Sequence, residues 1–226
     1  VSHAAALREP PQAANSTKPL STASWRDLLA LLRDTSGLSA HFIEEKTMAL
    51  LALPLVSEGD LYFVQQSSLG PRALVRHTTS PVASSLLLEG TNLRMGTAGS
   101  YQSIDLKSQP VVRLFVDSFV EIFAGDEHAI ASLYHVEFAG TLDDWYLKLV
   151  PRPESVRKVI AQIRVRGQQA QVSQVEMLEA NGDLTTTRFV DAQHNRKFSG
   201  KERAEIFRLL PALKVEKAGA AKSNHH

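Results

Sequence analysis

Few side chains in this sequence combine the residue type and the spacing that chemistry needs. Glu44-Glu45 is an adjacent carboxylate pair. General acid/base work would need both on one side, yet strand neighbours point to opposite faces. Asp143-Asp144 precedes Trp145 and reads as a turn. His41, His77, His128, His135 and His194 show no HExxH or other tight ligand spacing, so the sequence predicts no metal site and no metal cofactor. No GxSxG, Walker loop or GxGxxG occurs. Gly96-Thr97-Ala98-Gly99-Ser100 is glycine-rich, which a loop between strands explains. Arg164-Val165-Arg166 with Lys158 has no clustered aromatics beside it, so a solvated strand face accounts for it better than nucleic-acid binding. The chain reads as a protein without catalytic machinery.

Composition agrees. The net charge is +1, which gives no electrostatic case for nucleic acid or an anionic membrane. There are no cysteines, hence no disulfide, no thiolate ligand and no cysteine nucleophile. No apolar run is long enough to span a bilayer as a helix. At 226 residues one large domain can bury a sizeable core. The expected organisation is a loose Ala/Pro/Ser/Thr-rich arm over residues 1–20, a single domain over 21–213, and a loose tail over 214–226. The opening Val1-Ser2-His3 is compatible with a removed signal peptide, and Asn224-His225-His226 looks like the remnant of a purification tag.

The elements that would carry any site follow from periodicity. Ser24 and Asp27 form a capping-box pattern ahead of Trp25, Leu28, Leu29 and Leu32, which share one helical face, with Gly37 as the stop. The period then falls to two. Ala40 to Leu53 reads as a strand with Phe42, Met48 and Leu50 on one side. Asp60 to Gln66 places Leu61 and Phe63 opposite Tyr62 and Val64, and Arg72 to Thr79 follows. Residues 85–88 and 92–95 read as a hairpin turning at Gly90. Between Pro110 and Gly125 only Arg113, Asp117 and Glu121 interrupt an apolar circumference, which predicts a helix buried on most sides. A short helix over 126–132 comes next. Strands are expected over 133–138, 145–150, 159–166, 172–178 and 184–190, with Asn181-Gly182 turning the last hairpin. In the third of these, Val159, Ala161, Ile163 and Val165 should share the apolar face, opposite Ile160. A final helix over 199–210 opens on Ser199 and Glu202, a second capping-box pattern. Helices segregated from an antiparallel sheet give an α+β, mainly β architecture, a barrel with a lid.

What remains is an excess of large, soft apolar residues: Phe42, Met48, Phe63, Met95, Phe115, Phe119, Phe123, Phe138 and Trp145. They are either a filled core or the wall of a cavity roofed by the Phe-rich helix.

A family resemblance joins these pieces. Phe42-x-Glu44, Pro54-Leu55, Gly59-Asp60-Leu61-Tyr62-Phe63, Leu74-Val75-Arg76 with Pro81, and Leu86-Leu87-Leu88-Glu89-Gly90 with Leu93 resemble the first half of the LolA-like lipoprotein-carrier family. Val172-x-x-Val175-Glu176, Asn181-Gly182-Asp183 and Thr187-x-Phe189 are similar to its last hairpin. The resemblance implies an unclosed antiparallel half-barrel with a helical lid over an apolar cavity. It also implies a monomeric periplasmic carrier whose cargo is an acylated lipoprotein or another lipidated molecule. Its partners would be an inner-membrane donor and an outer-membrane acceptor. The expected wall adds Leu61, Leu74, Leu86, Leu88 and Leu93 to the soft residues above, with Phe115 and Phe119 in the roof. Phe119→Asp should then abolish acyl-probe binding more than it lowers stability. The sequence departs from the family at Gln65-Gln66-Ser67, where a basic residue and proline are usual, and at Arg76, near the place of a tryptophan. It is therefore a divergent branch, and no latch arginine is assigned. A lipid-sensing regulatory module of the same fold is the alternative. Either role needs greasy space that side chains leave unfilled.

Overall fold

The computed structural model describes residues 24–97, 100–108, 120, 122 and 124–210. Helix α1 (Trp25–Arg33) opens the described chain. Ser24 caps it, and both hydrogen bonds of the capping box with Asp27 are present. Leu28, Leu29 and Leu32 form its buried stripe.

A first meander follows: β1 (Gly37–Thr47), β2 (Leu55–Val64), β3 (Ala73–Ser80), β4 (Ser84–Glu89), β5 (Asn92–Thr97) and β6 (Ser100–Asp105). After a 3-10 turn at Leu106–Ser108, Val120, Ile122 and Ala124 are helical and buried. Residues two apart in a helix lie on nearly opposite sides, so burial of both Val120 and Ile122 places this segment inside the molecule. Helix α2 (Glu127–Leu133), capped by Asp126, leads into β7 (Tyr134–Thr141) and β8 (Asp144–Pro151). The short α3 (Glu154–Arg157) then precedes β9 (Ile160–Gln168), β10 (Gln171–Glu179) and β11 (Leu184–His194). Helix α4 (Gly200–Ile206), with its own capping box at Ser199 and Glu202, comes last.

All eleven strands form one antiparallel sheet in the order β6-β5-β4-β3-β2-β1-β11-β10-β9-β8-β7. Its edges are β6 and β7, consecutive in the chain and not paired with each other, so the sheet curls without closing. In the segment joining these two edges, the described residues Val120, Ile122 and Ala124 pack into the larger apolar core. Gly125 ends that segment with φ +64°, and a Cβ there would sit 2.2 Å from the Leu29 carbonyl oxygen, so only glycine lets the turn lie against α1. The Arg33 guanidinium donates to the Gly125 carbonyl from the same helix.

Two apolar clusters occupy the two sides of the sheet. The larger, concave one joins α1 to Phe42, Leu61, Phe63, Leu88, Leu93, Tyr134, Trp145 and Ile163. The smaller, on the convex side of β2–β4, packs Val64, Val75 and Leu87 against Phe198 and Phe207. His77 fixes the end of α4 there, one ring nitrogen 2.9 Å from the Ile206 carbonyl oxygen and the other 3.1 Å from the Ser85 hydroxyl.

Several sequence expectations need correction. Gly37 does not stop α1; it opens β1, and a Cβ on it would meet the Arg196 carbonyl oxygen at 2.4 Å. The first strand ends at Thr47 rather than running to Leu53, because residues 48–54 form the turn into β2. Met48 is therefore half-buried in that turn, and Leu50 is exposed. At the start of β9, Ile160 is buried and Val159, just ahead of the strand, is exposed, the reverse of the expected face; an irregularity in the pairing with β10 at Leu178/Glu179 shifts the phase. Strand β6 was not foreseen, and α4 is shorter than residues 199–210.

Candidate functional site: a cavity at one end of the concave face

Side chains do not fill the concave face evenly. A cavity of about 320 Å³ is lined by Phe42, Glu44 and Lys46 of β1, Leu61 of β2, Leu74 and Arg76 of β3, and Leu86 of β4. Val120 of the helical residues between β6 and β7, Val175 and Met177 of β10, and Thr185, Thr187 and Phe189 of β11 complete the wall. The volume lies near the lower end of the ~300–1,000 Å³ usual for small-molecule sites.

The register explains why space is left. Phe42, Glu44 and Lys46 point inward from β1. Across β2 they face Gly59, Ser57 and Leu55, and across β11 they face Phe189, Thr187 and Thr185. Short side chains thus flank the middle of the β1 column. Gly59 cannot be larger: the β2–β3 pairing is irregular at Glu58/Gly59, and a Cβ would lie 1.9 Å from the His77 carbonyl oxygen.

Within this greasy wall sits one polar cluster. Arg76 Nη2 donates to Glu44 Oε1 at 2.9 Å, and the Thr187 hydroxyl donates to Glu44 Oε2 at 2.9 Å. The Ser57 hydroxyl lies 3.5 Å from Glu44 Oε1. The Arg76 guanidinium covers the Phe42 ring, 4.2 Å from its centroid. Arg76 Nε is buried and has no hydrogen-bond partner among the described residues. Nearer the end of β1, Lys46 Nζ pairs with Glu179 Oε1 at 2.6 Å. The charges pair off, and both pairs are partly exposed, so the cavity passes from apolar walls at Leu61 and Leu74 to a neutral polar rim. Such a gradient suits an amphiphile, with its chain inside and its head outward. Among the described residues no group of three or more His, Asp or Glu could hold a metal ion.

The expected wall residues separate into groups. Phe42, Leu61, Leu74 and Leu86 line the cavity. Phe63, Leu88 and Leu93 are buried in solid packing beyond it, and Trp145 is buried with Nε1 donating to the Gln169 carbonyl at 2.9 Å. Phe138 is half-buried against the same core, Met95 is exposed on β5, and Met48 lies in the β1–β2 turn. Phe115, Phe119 and Phe123 lie outside the described residues. Val120 belongs to the helix expected as the roof, but the sequence reading missed Glu44, Lys46, Arg76, Val175, Met177, Thr185, Thr187 and Phe189. It searched for bulky apolar residues, whereas short side chains beside the β1 column make the space. Period-two inward positions on β11 were the available signal.

Other candidate groups resolve into ordinary structure. Glu44 and Glu45 do face opposite sides: Glu45 pairs with Arg188 at 2.9 Å on the convex face. Arg164 pairs with Glu176 at 3.3 Å, as a solvated strand face should. His41 lies 3.2 Å from Asp60, both partly exposed.

Among the described residues, no helix is long and apolar enough to cross a membrane. Comparison with known proteins gives a family match: the model described as outer membrane lipoprotein carrier protein LolA-like fits residues 19–207. No curated protein matches. Among solved structures, the MucA/MucB complex of Pseudomonas aeruginosa is similar at 13% identity with TM-score 0.47, covering 76% of this chain and 56% of that one. This chain thus spans little more than half the length of that protein. A LolA superfamily protein from Nitrosomonas europaea is similar at 12% identity with TM-score 0.40, over 80% of this chain and 97% of that one. The Mycobacterium tuberculosis lipoprotein LppX is similar at 11% identity with TM-score 0.42, over 78% and 99%.

Proposed function

The chain belongs to the LolA-like family of outer membrane lipoprotein carrier proteins, and from that premise we propose that it is a periplasmic carrier. It holds an acyl chain of a lipid or lipidated molecule in the cavity beside β1 and ferries it between the inner and outer membranes. The observation that carries the reading is the unfilled apolar space bounded by Phe42, Leu61, Leu74, Val175 and Phe189.

The physics of transport fits such a site. Each methylene exposed to water costs ~0.8 kcal/mol, so the chain must stay hidden in transit. A binding wall must also let go, and Met177 and Leu86 can repack as a chain enters or leaves. A ~150 Å³ apolar cavity takes one benzene ring, so about 320 Å³ suits one acyl chain rather than several. No step of bond making or breaking is needed, and the role is binding and release.

Filling the cavity tests this. Thr185 lines it and points inward beside Lys46. A Thr185→Phe chain should bind a dansyl-labelled fatty acid at least about tenfold more weakly than the parent, a loss of 1.4 kcal/mol, with an unchanged or higher melting temperature. Equal binding by the filled variant would place the ligand elsewhere and defeat the proposal.

A further inference from the structure

The end of the half-barrel at which β1 finishes is unusually greasy outside. Leu50 is 92% exposed, Leu53 78%, Leu55 54% and Val56 53%, all in or beside the β1–β2 turn. The antiparallel order brings the β3–β4 and β8–β9 connections to that same end. Val82, 61% exposed, and Val159, 51% exposed, stand on them. From Thr47 to Ser57 there is no charged residue. Large apolar side chains exposed together at one end of a fold mark an interaction site.

We propose that this tip inserts into the hydrocarbon boundary of a lipid bilayer. Three features select a bilayer over a protein partner. Its β1–β2 turn with the start of β2, residues 48–56, carries only Leu, Val, Ala, Met and Pro, with no aromatic residue or arginine, whereas protein hot spots favour Trp, Tyr and Arg and underuse Leu and Val. It protrudes as a turn rather than forming a pocket for a partner's anchor. Its backbone is also partly satisfied from within, as a low-dielectric setting demands. The Leu51 N–H donates to the Met48 carbonyl at 3.0 Å, and the Ala49 N–H donates to the buried Asp183 carboxylate at 3.3 Å. Lys46 is paired with Glu179, and Lys158, beside Val159, with Glu154 at 3.4 Å, so attraction to anionic lipid is not the driving force.

The tip adjoins the cavity. Lys46 lines the cavity, and Leu55 is its cross-strand partner. A tip sunk in the interface would therefore bring the polar rim to the headgroups, and an acyl chain could pass without crossing bulk water. That purpose rests on the carrier reading; the membrane contact itself does not.

The chain has no cysteine, so Leu50→Cys offers a unique attachment point for an environment-sensitive nitrobenzoxadiazole dye. Adding phosphatidylcholine vesicles to the labelled full chain should shift its emission to the blue and raise it several-fold, undiminished by molar salt. In the unlabelled chain, Leu50→Ser with Leu53→Ser should lower flotation with these vesicles about tenfold or more, given the apolar area removed. The same pair should leave dansyl-fatty-acid binding in vesicle-free buffer unchanged. Loss of that binding in the parent chain would sink the carrier reading and leave the tip intact. The membrane proposal is overturned if the dye ignores neutral vesicles, if binding needs anionic lipid and vanishes with salt, or if the serine pair floats as well as the parent.

Discussion

The two sides of the β2–β4 sheet differ in how completely they are filled. On the convex side, Phe198 and Phe207 meet edge-to-face at 5.4 Å, and Val75 and Leu87 lie fully buried beneath them. Polar groups there are matched as well: the Leu210 N–H donates to Ser85, and His77 is held at both ring nitrogens. On the concave side, Phe63, Leu88 and Leu93 are buried, but towards the end of β1 the wall gives way to Thr185 and Thr187. Arg76 Nε has no hydrogen-bond partner there among the described residues. One sheet thus carries a finished interior on one side and an unfinished one on the other. The difference comes from side-chain size at a few inward positions, one of them, Gly59, held small by the backbone of β3. A protein that only needed stability would have filled both.

Truncation in the filled region should have the largest effect. Leu29 is fully buried in α1. Leu29→Ala should cost about 2–5 kcal/mol in urea unfolding, and at moderate temperature should leave acyl binding intact. A loss well under 1 kcal/mol would mean that this region is also loosely packed. The filled variant Thr185→Phe reverses the pattern, with a loss of binding and none of stability. Next is the polar cluster. Glu44 and Arg76 are both partly exposed, so Arg76→Met should destabilise by only about 1 kcal/mol. Combining it with Glu44→Gln should recover part of that, measured as a double-mutant cycle. A coupling of several kcal/mol would show that the cluster is structural rather than a rim for a ligand head.

The smallest effect lies in the helix caps. The Ser24 backbone N–H and hydroxyl hold the exposed Asp27 carboxyl below its usual value, and Ser199 does the same for Glu202. A depressed folded-state pKa gives stability that is complete above the unfolded value and fades as pH falls through the folded one. Both caps should therefore weaken only in acid. Asp27→Asn should lower the neutral plateau of the stability–pH curve slightly and flatten the acid limb, so that variant and parent converge in acid; a difference that persists unchanged into acid would contradict this assignment.

Much of the fold was legible because local rules and tertiary structure agree. Ser24/Asp27 and Ser199/Glu202 cap helices as their spacing demands, Gly90 and Gly182 turn hairpins with positive φ, and Leu61/Phe63 face away from Tyr62/Val64. Failures came where distant contacts decide. Gly37 reads as a helix stop, yet the approach of Arg196 from the far end of the chain is what requires glycine. Val159 and Ile160 exchange faces through an irregular pairing that only β10 reveals. The site was half-legible. Phe42, Leu61, Leu74 and Leu86 advertise themselves as bulky apolar residues, but emptiness has no residue type. Thr185 and Thr187 become wall residues only once β11 is known to pair with β1.

Methyl resonances of the three methionines give the most direct test. Met177 lines the cavity, Met95 is exposed on β5, and Met48 lies in the β1–β2 turn. With a spin-labelled fatty acid bound as a monomer, the Met177 methyl should broaden beyond detection while Met95 persists. A bound spin label that leaves Met177 sharp would show that the space beside β1 is not where an acyl chain resides.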